Sequence, residues 1–190
     1  MDMIDRHMLF CDHKDCDPVA DFSILPDRNI VIKNIEFAQD HVACNEADIS
    51  FIVSVCPLTV DEHKKVTATL APGCHLWIDI PDTPETDILE SLPGAVEWVR
   101  TKNNVLIHCH MGISRSVTIA CAVRMRILGE DPDTALRYIK WKRRQAYPNS
   151  GFMKQLWMYH LTLQQANLVI AAKMVPHIAL VAEYLCSKIG

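Results

Sequence analysis

The sequence predicts an α/β fold, a single domain in which helices flank a central, mixed or mostly parallel sheet of about four to five strands. Segments of strand length, either apolar or with alternating apolar and polar residues, alternate along the chain with amphipathic segments of helical length. The run VLIH at 105–108 is apolar up to its last residue, as expected of a central strand covered on both faces. A chain of 190 residues is long enough for one such core.

The first half of the chain predicts three strands. NIVIK (29–33) alternates like a short strand, and SFIVSV (50–55) is a continuous apolar run of strand length. IEFAQDHVA (35–43), between them, predicts a helix. HLWIDI (75–80) predicts the third strand, and Pro81 ends it because proline cannot donate to the ladder.

The second half predicts four helices. Asp87, with Glu90 three residues later, resembles a capping box and predicts a helix start in front of ILESLPGAVEWV (88–99). Pro93 falls inside this stretch and predicts a kink. The other helices are expected from Arg115 to Leu128, where Gly129 stops it, from Asp133 to Arg144, and from Gly151 to about Leu168.

The two ends of the chain differ from the domain predicted over residues 26–165. Residues 1–25 are rich in aspartate and predict an acidic N-terminal arm. Residues 166–190 predict an amphipathic helical tail, since Lys173 and Glu183 interrupt its apolar run and Pro176 breaks it. A membrane span is therefore not expected. Packing on the chain's own domain, a homodimer or partner surface, and membrane association stay open as interpretations.

Composition excludes several classes of protein. The formal net charge of −4 gives no global positive field, so no nucleic-acid partner is expected. The opening MDMIDRHMLF lacks the basic start and apolar stretch of a secretory signal, which predicts an intracellular protein, cytoplasmic or nuclear. CDHKDC (11–16) has no second pair of ligands at zinc spacing, so no metal site is predicted. KWKRRQ (140–145) predicts a solvated basic face or a dock for an acidic or phosphorylated partner.

The residues that carry chemistry lie in VLIHCHMGISRSVTIA (105–120), where a buried strand leads through Cys109 and five further residues to Arg115 and a helix. A short loop of this kind aims successive backbone N–H groups into one hollow, and the helix dipole adds positive charge. Gly112 permits the tight path, and the Arg115 guanidinium can bind two phosphate oxygens at once. The pattern predicts a phosphate-sized anion site with a thiol at its base.

The same field lowers the pKa of a thiol, so Cys109 is expected to be a thiolate nucleophile at neutral pH. Attack on phosphorus would form a phosphocysteine without a metal or other cofactor, and Ser116 would donate a hydrogen bond to the thiolate. The leaving group needs a general acid, and Asp82, just after the predicted strand, is favoured. Asp79, in the strand, and Asp87, at the helix cap, stay open as rivals.

HCHMGISRS (108–116) resembles the His-Cys-x5-Arg-Ser signature of the cysteine-dependent dual-specificity protein phosphatases. NIVIKNIEFAQD resembles the opening strand and helix of that domain, IPDTPETDILESL its general-acid loop, and YPNSGFMKQLWMY its Pro-Asn-x-Gly-Phe segment. The resemblance covers about residues 26–160. PETDIL and HCHMGISRSV look most like the yeast-type branch that bears a zinc finger, although the zinc module that follows there is not found in these 190 residues.

The resemblance implies a protein-tyrosine-phosphatase-like fold with Cys109 as nucleophile, Arg115 as phosphate ligand and Asp82 as general acid and base. It further implies roles for three more residues and for six backbone amides: Ser116 stabilises the thiolate, His108 orients the loop and lowers the thiol pKa, Asn149 braces the loop, and the amides of His110, Met111, Gly112, Ile113, Ser114 and Arg115 hold phosphate. The implied substrates are phosphotyrosine and phosphoserine or phosphothreonine in proteins. A weakly active phosphoprotein-binding module and a phosphatase of RNA 5′-ends or phosphoinositides are the alternatives.

Overall fold

Four parallel strands form the sheet of the structure, a computed structural model that describes the backbone of residues 23–189 and the side chains as far as residue 171. The strands lie in the order β1-β4-β2-β3, and every neighbouring pair is parallel. The predicted α/β class is thus confirmed, with a sheet that is parallel throughout the described residues. The strands are β1 (Ile30–Lys33), β2 (Phe51–Val55), β3 (His75–Ile78) and β4 (Val105–His108).

Helices cover both faces of this sheet because alternate strand residues point to opposite sides. Val31, Ile52 and Leu106 pack with the first three helices, and their strand neighbours pack with the last four. A single 3₁₀ turn (Leu89–Ser91) precedes the fourth helix. The helices are α1 (Ile35–Gln39), α2 (His41–Glu46), α3 (Val60–Thr67), α4 (Leu92–Arg100), α5 (Arg115–Leu128), α6 (Pro132–Lys142) and α7 (Ser150–Ile189).

Two elements of the first half differ from prediction. The helix predicted over 35–43 is two helices, because the Asp40 side chain accepts from the amides of Val42 and Ala43 and so caps a new start. Helix α3 was not predicted. Its signal was present in the sequence, since Thr59 and Glu62 form a capping box in which each side chain binds the other's backbone amide.

The predicted kink at Pro93 was wrong. Helix α4 begins at Leu92, so Pro93 lies in its first turn, where no intrahelical N–H is needed. Asp87 does act as a cap, for the 3₁₀ turn that precedes α4, because its side chain accepts from the amide of Leu89 at 2.9 Å. The predicted break at Pro176 was also wrong, because α7 continues beyond Leu168 to Ile189. None of the helices in the described part of the chain is long and apolar enough to cross a membrane.

Packing at the N-terminal side begins at Ile24 and Leu25, which are buried in the same core as β1 and α5. The Arg124 side chain, itself buried, donates to the carbonyl of Ile24 and pairs with Glu130. This contact ties the residues before β1 to the end of α5. Most of the predicted acidic arm, and with it the CDHKDC cluster, lies outside the described residues.

Candidate active site

The predicted loop lies at the carboxyl edge of the sheet, directly after the central strand β4. Residues 109–114 connect this strand to α5, whose first residue is Arg115. Clefts at the carboxyl ends of parallel strands are the usual ligand sites of open α/β sheets. Cys109 lies at the base of the loop with 1% of its surface exposed, whereas Met111 on the rim is 64% exposed.

The carbonyl oxygens of residues 110–113 are all bound from outside the loop. They accept, in chain order, from the amide of Ile35 at 3.1 Å, from Arg143 Nη2 at 3.3 Å, from Arg143 Nε at 2.7 Å and from the amide of Tyr147 at 2.8 Å. Because the two polar groups of a peptide unit point in opposite directions, outward carbonyls leave the N–H groups directed inward. The loop therefore has the form of the predicted anion nest.

Gly112 is required where the loop passes closest to its neighbours. Its φ of +67° lies in the left-handed region, and a Cβ there would stand 2.5 Å from the carbonyl oxygen of Lys33 and 2.7 Å from Arg143 Nη2. Its amide donates to Cys109 Sγ at 3.2 Å, so this N–H group is directed into the loop, toward the sulfur.

The Cys109 thiol is stabilised as a thiolate. Burial alone would raise its pKa, but hydrogen bonds from the Ser116 hydroxyl, 3.3 Å from the sulfur, and from the amides of Ser116 and Ile113, together with the charge of Arg115, lower it below the ordinary value. Other buried cysteines show the opposite effect: burial raises the pKa of Cys44 to about 11 and that of Cys56 to about 12.

Arg115 lies beside the thiol and is only 7% exposed. Its Nη1 donates to the carbonyl of Ile80 at 3.1 Å, and its Nε is 3.3 Å from Asp82 Oδ2. That second contact is a charge pairing without hydrogen-bond alignment, since the buried Nε has no directed partner. A donor in this state can bind an incoming anion without breaking a hydrogen bond.

Asp82 connects the acid loop, residues 81–87, to the phosphate loop, residues 109–114. Its Oδ1 accepts from the Ser114 hydroxyl at 2.7 Å and from Asn149 Nδ2 at 2.9 Å. Asn149 also donates its own amide to the Ser114 hydroxyl at 3.2 Å, and its Oδ1 accepts from the amide of Phe152 at the start of α7. One asparagine thus joins both loops to a helix N-terminus.

The three candidate aspartates lie in different places. Asp82 is the one with contacts to Arg115 and Ser114. Asp79 was predicted inside the third strand but lies past its end at Ile78, exposed to solvent. Asp87 is used as a cap for the turn that follows it. The geometry therefore favours Asp82 among the three.

The His108 imidazole contacts Ser54 of β2 and the backbone of Cys109. It is fully buried, with Nε2 at 2.6 Å from the Ser54 hydroxyl and Nδ1 at 3.4 Å from the carbonyl oxygen of Cys109. Burial lowers its pKa to about 4, so the imidazole is neutral at pH 7. A neutral ring adds no charge beside the thiolate, and its contact is with the backbone of Cys109.

Two residues that position the site are not predicted by the sequence. Arg143 lies in a basic run that predicts a solvated or docking face, but in the structure it is partly buried against the phosphate loop, and burial lowers its pKa. Gly151 lets α7 approach the acid loop, since a Cβ there would stand 1.9 Å from the carbonyl oxygen of Pro84. Arg143 gave no signal of its own within a basic run. Gly151 lies in the Pro-Asn-x-Gly-Phe segment and could have been singled out.

A parallel sheet whose central strand leads through a Cys-x5-Arg loop into a helix defines the class of cysteine-dependent phosphatase folds. Residues 36–161, well over half of the chain, match the family model described as "Dual specificity phosphatase, catalytic domain". The chain belongs to this family.

Individual relatives agree with that assignment. The chain is 29% identical over 137 residues to the dual specificity protein phosphatase MPK-4 of Drosophila melanogaster, a match that covers 70% of this chain and 35% of the relative. It is 29% identical over 136 residues to the tyrosine-protein phosphatase yvh1 of Schizosaccharomyces pombe, covering 70% and 39%. The chain thus spans little more than a third of the length of these two relatives, and their equal identities support the family without separating its branches.

Solved structures show the same fold. The Yvh1 phosphatase domain of Chaetomium thermophilum superposes with a TM-score of 0.62 and 30% sequence identity, covering 70% of this chain and 90% of that domain. The structure of DUSP15 superposes with a TM-score of 0.59 and 27% identity, covering 76% of this chain. The predicted protein-tyrosine-phosphatase-like fold is thereby confirmed.

Proposed function

We propose that this protein hydrolyses phosphate monoesters of phosphotyrosine and of phosphoserine or phosphothreonine in proteins, through a phosphocysteine on Cys109. The observation that carries the proposal is a thiol of lowered pKa at the base of an inward-facing amide nest, with Arg115 and Asp82 at its mouth. Membership in the dual-specificity phosphatase family supports the same reaction.

In the first step the Cys109 thiolate attacks phosphorus in line with the ester oxygen. The S–P bond forms as the P–O bond to the substrate breaks, and the Asp82 carboxylic acid gives its proton to the departing oxygen. The Arg115 guanidinium and the loop amides hold the three equatorial oxygens as their charge redistributes. The product of this step is a phosphocysteine and a free hydroxyl on the substrate.

In the second step the Asp82 carboxylate accepts a proton from water, whose oxygen attacks phosphorus. The S–P bond breaks, inorganic phosphate leaves, and the electron pair returns to the Cys109 sulfur. The Ser116 hydroxyl, 3.3 Å from that sulfur, stabilises the thiolate as it departs. Asp82 ends this step protonated and ready for the next substrate.

The pairing of Asp82 with Arg115 holds the carboxyl at the mouth of the nest before a substrate binds. Asp82 Oδ2 lies 3.3 Å from Arg115 Nε. A phosphate that binds the guanidinium would take the place of this carboxylate, and Asp82 would then be free to face the departing ester oxygen.

The rim of the site supports a protein substrate. Met111 of the loop and Tyr147, whose amide binds the Ile113 carbonyl, are strongly exposed, and Lys140 Nζ lies 4.9 Å from the Tyr147 ring centroid. Exposed apolar and aromatic groups around a phosphate site can contact the side chain that carries the phosphate. The loop residues 110–114 include no lysine, which disfavours polyanionic headgroups and RNA ends.

Hydrolysis of an aryl phosphate across pH 5 to 8 tests the proposal. We expect Cys109→Ser to abolish turnover while retaining affinity for phosphate, and we expect wild-type activity to be inhibited by vanadate but not by EDTA. Cys74→Ser is the matched control, because Cys74 is a partly exposed free thiol in the turn before β3. Turnover by Cys109→Ser would remove the thiol from the mechanism.

We also propose that the catalytic domain spans residues 26–165 and that the protein has no nucleic-acid partner.

We propose a homodimer that forms through the tail, residues 166–190. Exposed apolar side chains on α7, among them Leu161, Leu168 and Ile170, support a contact surface on this helix. Light scattering on the full chain and on a chain ending at residue 165 separates the outcomes: loss of a dimer on truncation supports the tail as the interface, and a monomeric full chain rules it out.

A further inference from the structure

A hydrogen-bonded row of three side chains crosses the sheet beneath the phosphate loop. Ser54 of β2 stands opposite His108 of β4 in the strand register, and its hydroxyl oxygen is 2.6 Å from His108 Nε2. The same hydroxyl is 2.8 Å from Nε2 of His75 on the edge strand β3. Ser54 and His108 are both completely buried, so these polar groups depend on each other for partners.

The direction of the row follows from what each group can donate. The Cys109 carbonyl can only accept, so the His108 nitrogen facing it, Nδ1, carries the proton. In a neutral imidazole the other nitrogen then accepts, and the Ser54 hydroxyl must donate to it. The Ser54 oxygen is left to accept from the N–H of His75 Nε2. Both rings are neutral, because burial lowers the pKa of His108 and of His75 to about 4.

We propose that Ser54 and His75 are positioning residues of this site: their hydrogen bonds fix the Nδ1–H tautomer of His108, which holds the carbonyl of Cys109 and thereby aims the thiolate at the centre of the phosphate loop. Neither residue touches the substrate position. The kinetic part of this inference rests on the proposed phosphatase activity, while the tautomer and the reactivity of the thiol are independent of it.

Charged and titratable groups surround both ends of the row. Near His75 lies His63 of α3, with ring centroids 5.3 Å apart, and its charge contributes to the lowered pKa of His75. Near His108 the charge of His110 acts in the same direction. The thiol at the other end faces Arg115, and electrostatic interactions also link it to Cys56 and Arg143. These neighbours are unchanged in the variants below.

The first test is the tautomer of His108, read from ¹⁵N chemical shifts of the histidine ring nitrogens in the full chain at pH 7. We expect the Nδ1–H form in the wild type and its loss or mixing in Ser54→Ala. A wild-type His108 in the Nε2–H form overturns the proposal, and so does an unaltered Nδ1–H form in a folded Ser54→Ala.

The second test is the pH dependence of Cys109 alkylation by iodoacetamide, which needs no turnover. Because Ser54→Ala leaves a buried acceptor without its donor, we expect the alkylation midpoint to rise by about one pH unit, with kcat/KM about tenfold lower at pH 6. The matched control is Thr67→Ala, which removes a partly buried hydroxyl that donates to the His63 carbonyl outside the row.

His75 provides a rescue experiment. Glutamine can place its side-chain amide N–H where histidine has Nε2–H, whereas leucine cannot. We expect His75→Leu to raise the alkylation midpoint and His75→Gln to restore it. Equal midpoints in both variants and the wild type would show that His75 only fills space. If the variants shift the alkylation midpoint as expected but the wild-type protein shows no phosphatase activity, the proposed function is contradicted and this inference stands.

Discussion

The phosphate loop and the acid loop meet at one site but are held in different ways. Every carbonyl of residues 110–113 is bound by a donor from another part of the chain, and Gly112 is packed so tightly that a methyl group would not fit. Residues 81–85 are exposed, and the acid loop depends on a few side chains, chiefly Ser114 and Asn149 on Asp82 and Gln155 on the carbonyl of Thr86.

The difference follows the chemistry that each loop is proposed to perform. Binding the phosphate oxygens requires N–H groups that are already in place, since reorganisation during the reaction would cost rate. Asp82 must leave Arg115 when phosphate arrives, and a lightly held loop permits that exchange. Changes in the phosphate loop should therefore affect all substrates alike, while changes in the acid loop should depend on the leaving group.

The largest effect is expected from Arg115→Lys. A lysine keeps the charge but loses the planar pair of donors, so we expect kcat/KM to fall by about 10²- to 10³-fold on every substrate. Steady-state kinetics with an aryl phosphate and an alkyl phosphate measure this. A loss confined to one of the two substrates would contradict the assignment of Arg115 to the phosphate alone.

Asp82→Ala should separate the two substrates. An alkoxide is a poor leaving group and needs the proton, so we expect about a 10²-fold loss on an alkyl phosphate and a much smaller loss on an activated aryl phosphate. The ratio of the two kcat/KM values is the quantity to compare, because kcat/KM reports the first step and Asp82 also acts in the second step, which both substrates share. Asp79→Ala is the control on an exposed aspartate of the same segment. Equal losses on both substrates would place the general acid elsewhere.

Gly151→Ala tests the support of the acid loop without touching the phosphate loop. The added methyl group would lie 1.9 Å from the carbonyl oxygen of Pro84, so the loop must shift, and we expect about a tenfold loss on the alkyl phosphate. Vanadate affinity should stay unchanged. Gly94→Ala, with open space around the new methyl group on α4, is the control and should behave like the wild type. Weaker vanadate binding in Gly151→Ala would mean that the two loops move together.

The smallest effect concerns stability and not rate. The pKa of His75 and of His108 is lowered from 6.5 to about 4 in the folded protein, so between these pH values the unfolded chain binds more protons. The free energy of unfolding must then rise with pH over this interval and level off above it. Urea denaturation at several pH values should show that slope, and His75→Gln should reduce it. An equal slope in the variant would mean that His75 titrates normally in the fold.

The sequence allowed prediction of the parts of the site that are local in the chain. Cys109, Gly112 and Arg115 fall within seven consecutive residues, and strand, loop and helix propensities agree there. Asp82 could be favoured over its rivals because it follows a predicted strand, whereas Asp79 was expected within that strand and Asp87 at a helix cap. The core pattern of the strands also indicated the parallel sheet and its central strand.

The remaining parts depend on contacts between distant segments. Arg143 reaches the carbonyls of Met111 and Gly112 from the end of α6, and Gly151 adjoins Pro84 only because α7 packs there. The pairing of Ser54 with His108 is set by strand register, which a single sequence does not state. Helix α3 is a different case, since its capping box was visible but its apolar face is small.

The register that places Ser54 beside His108 also makes the thiol a marker of correct strand pairing. A slip of one residue between β2 and β4 would turn Ser54 to the opposite face of the sheet and leave His108 without its partner. During refolding from denaturant, rapid alkylation of Cys109 at neutral pH would then arise only in molecules in which the central strands have paired correctly. A small electrophile can thus time the pairing of β2 with β4, whereas Trp77 of β3, which pairs with Ser54 from the other side, reports on the pairing of β2 with β3.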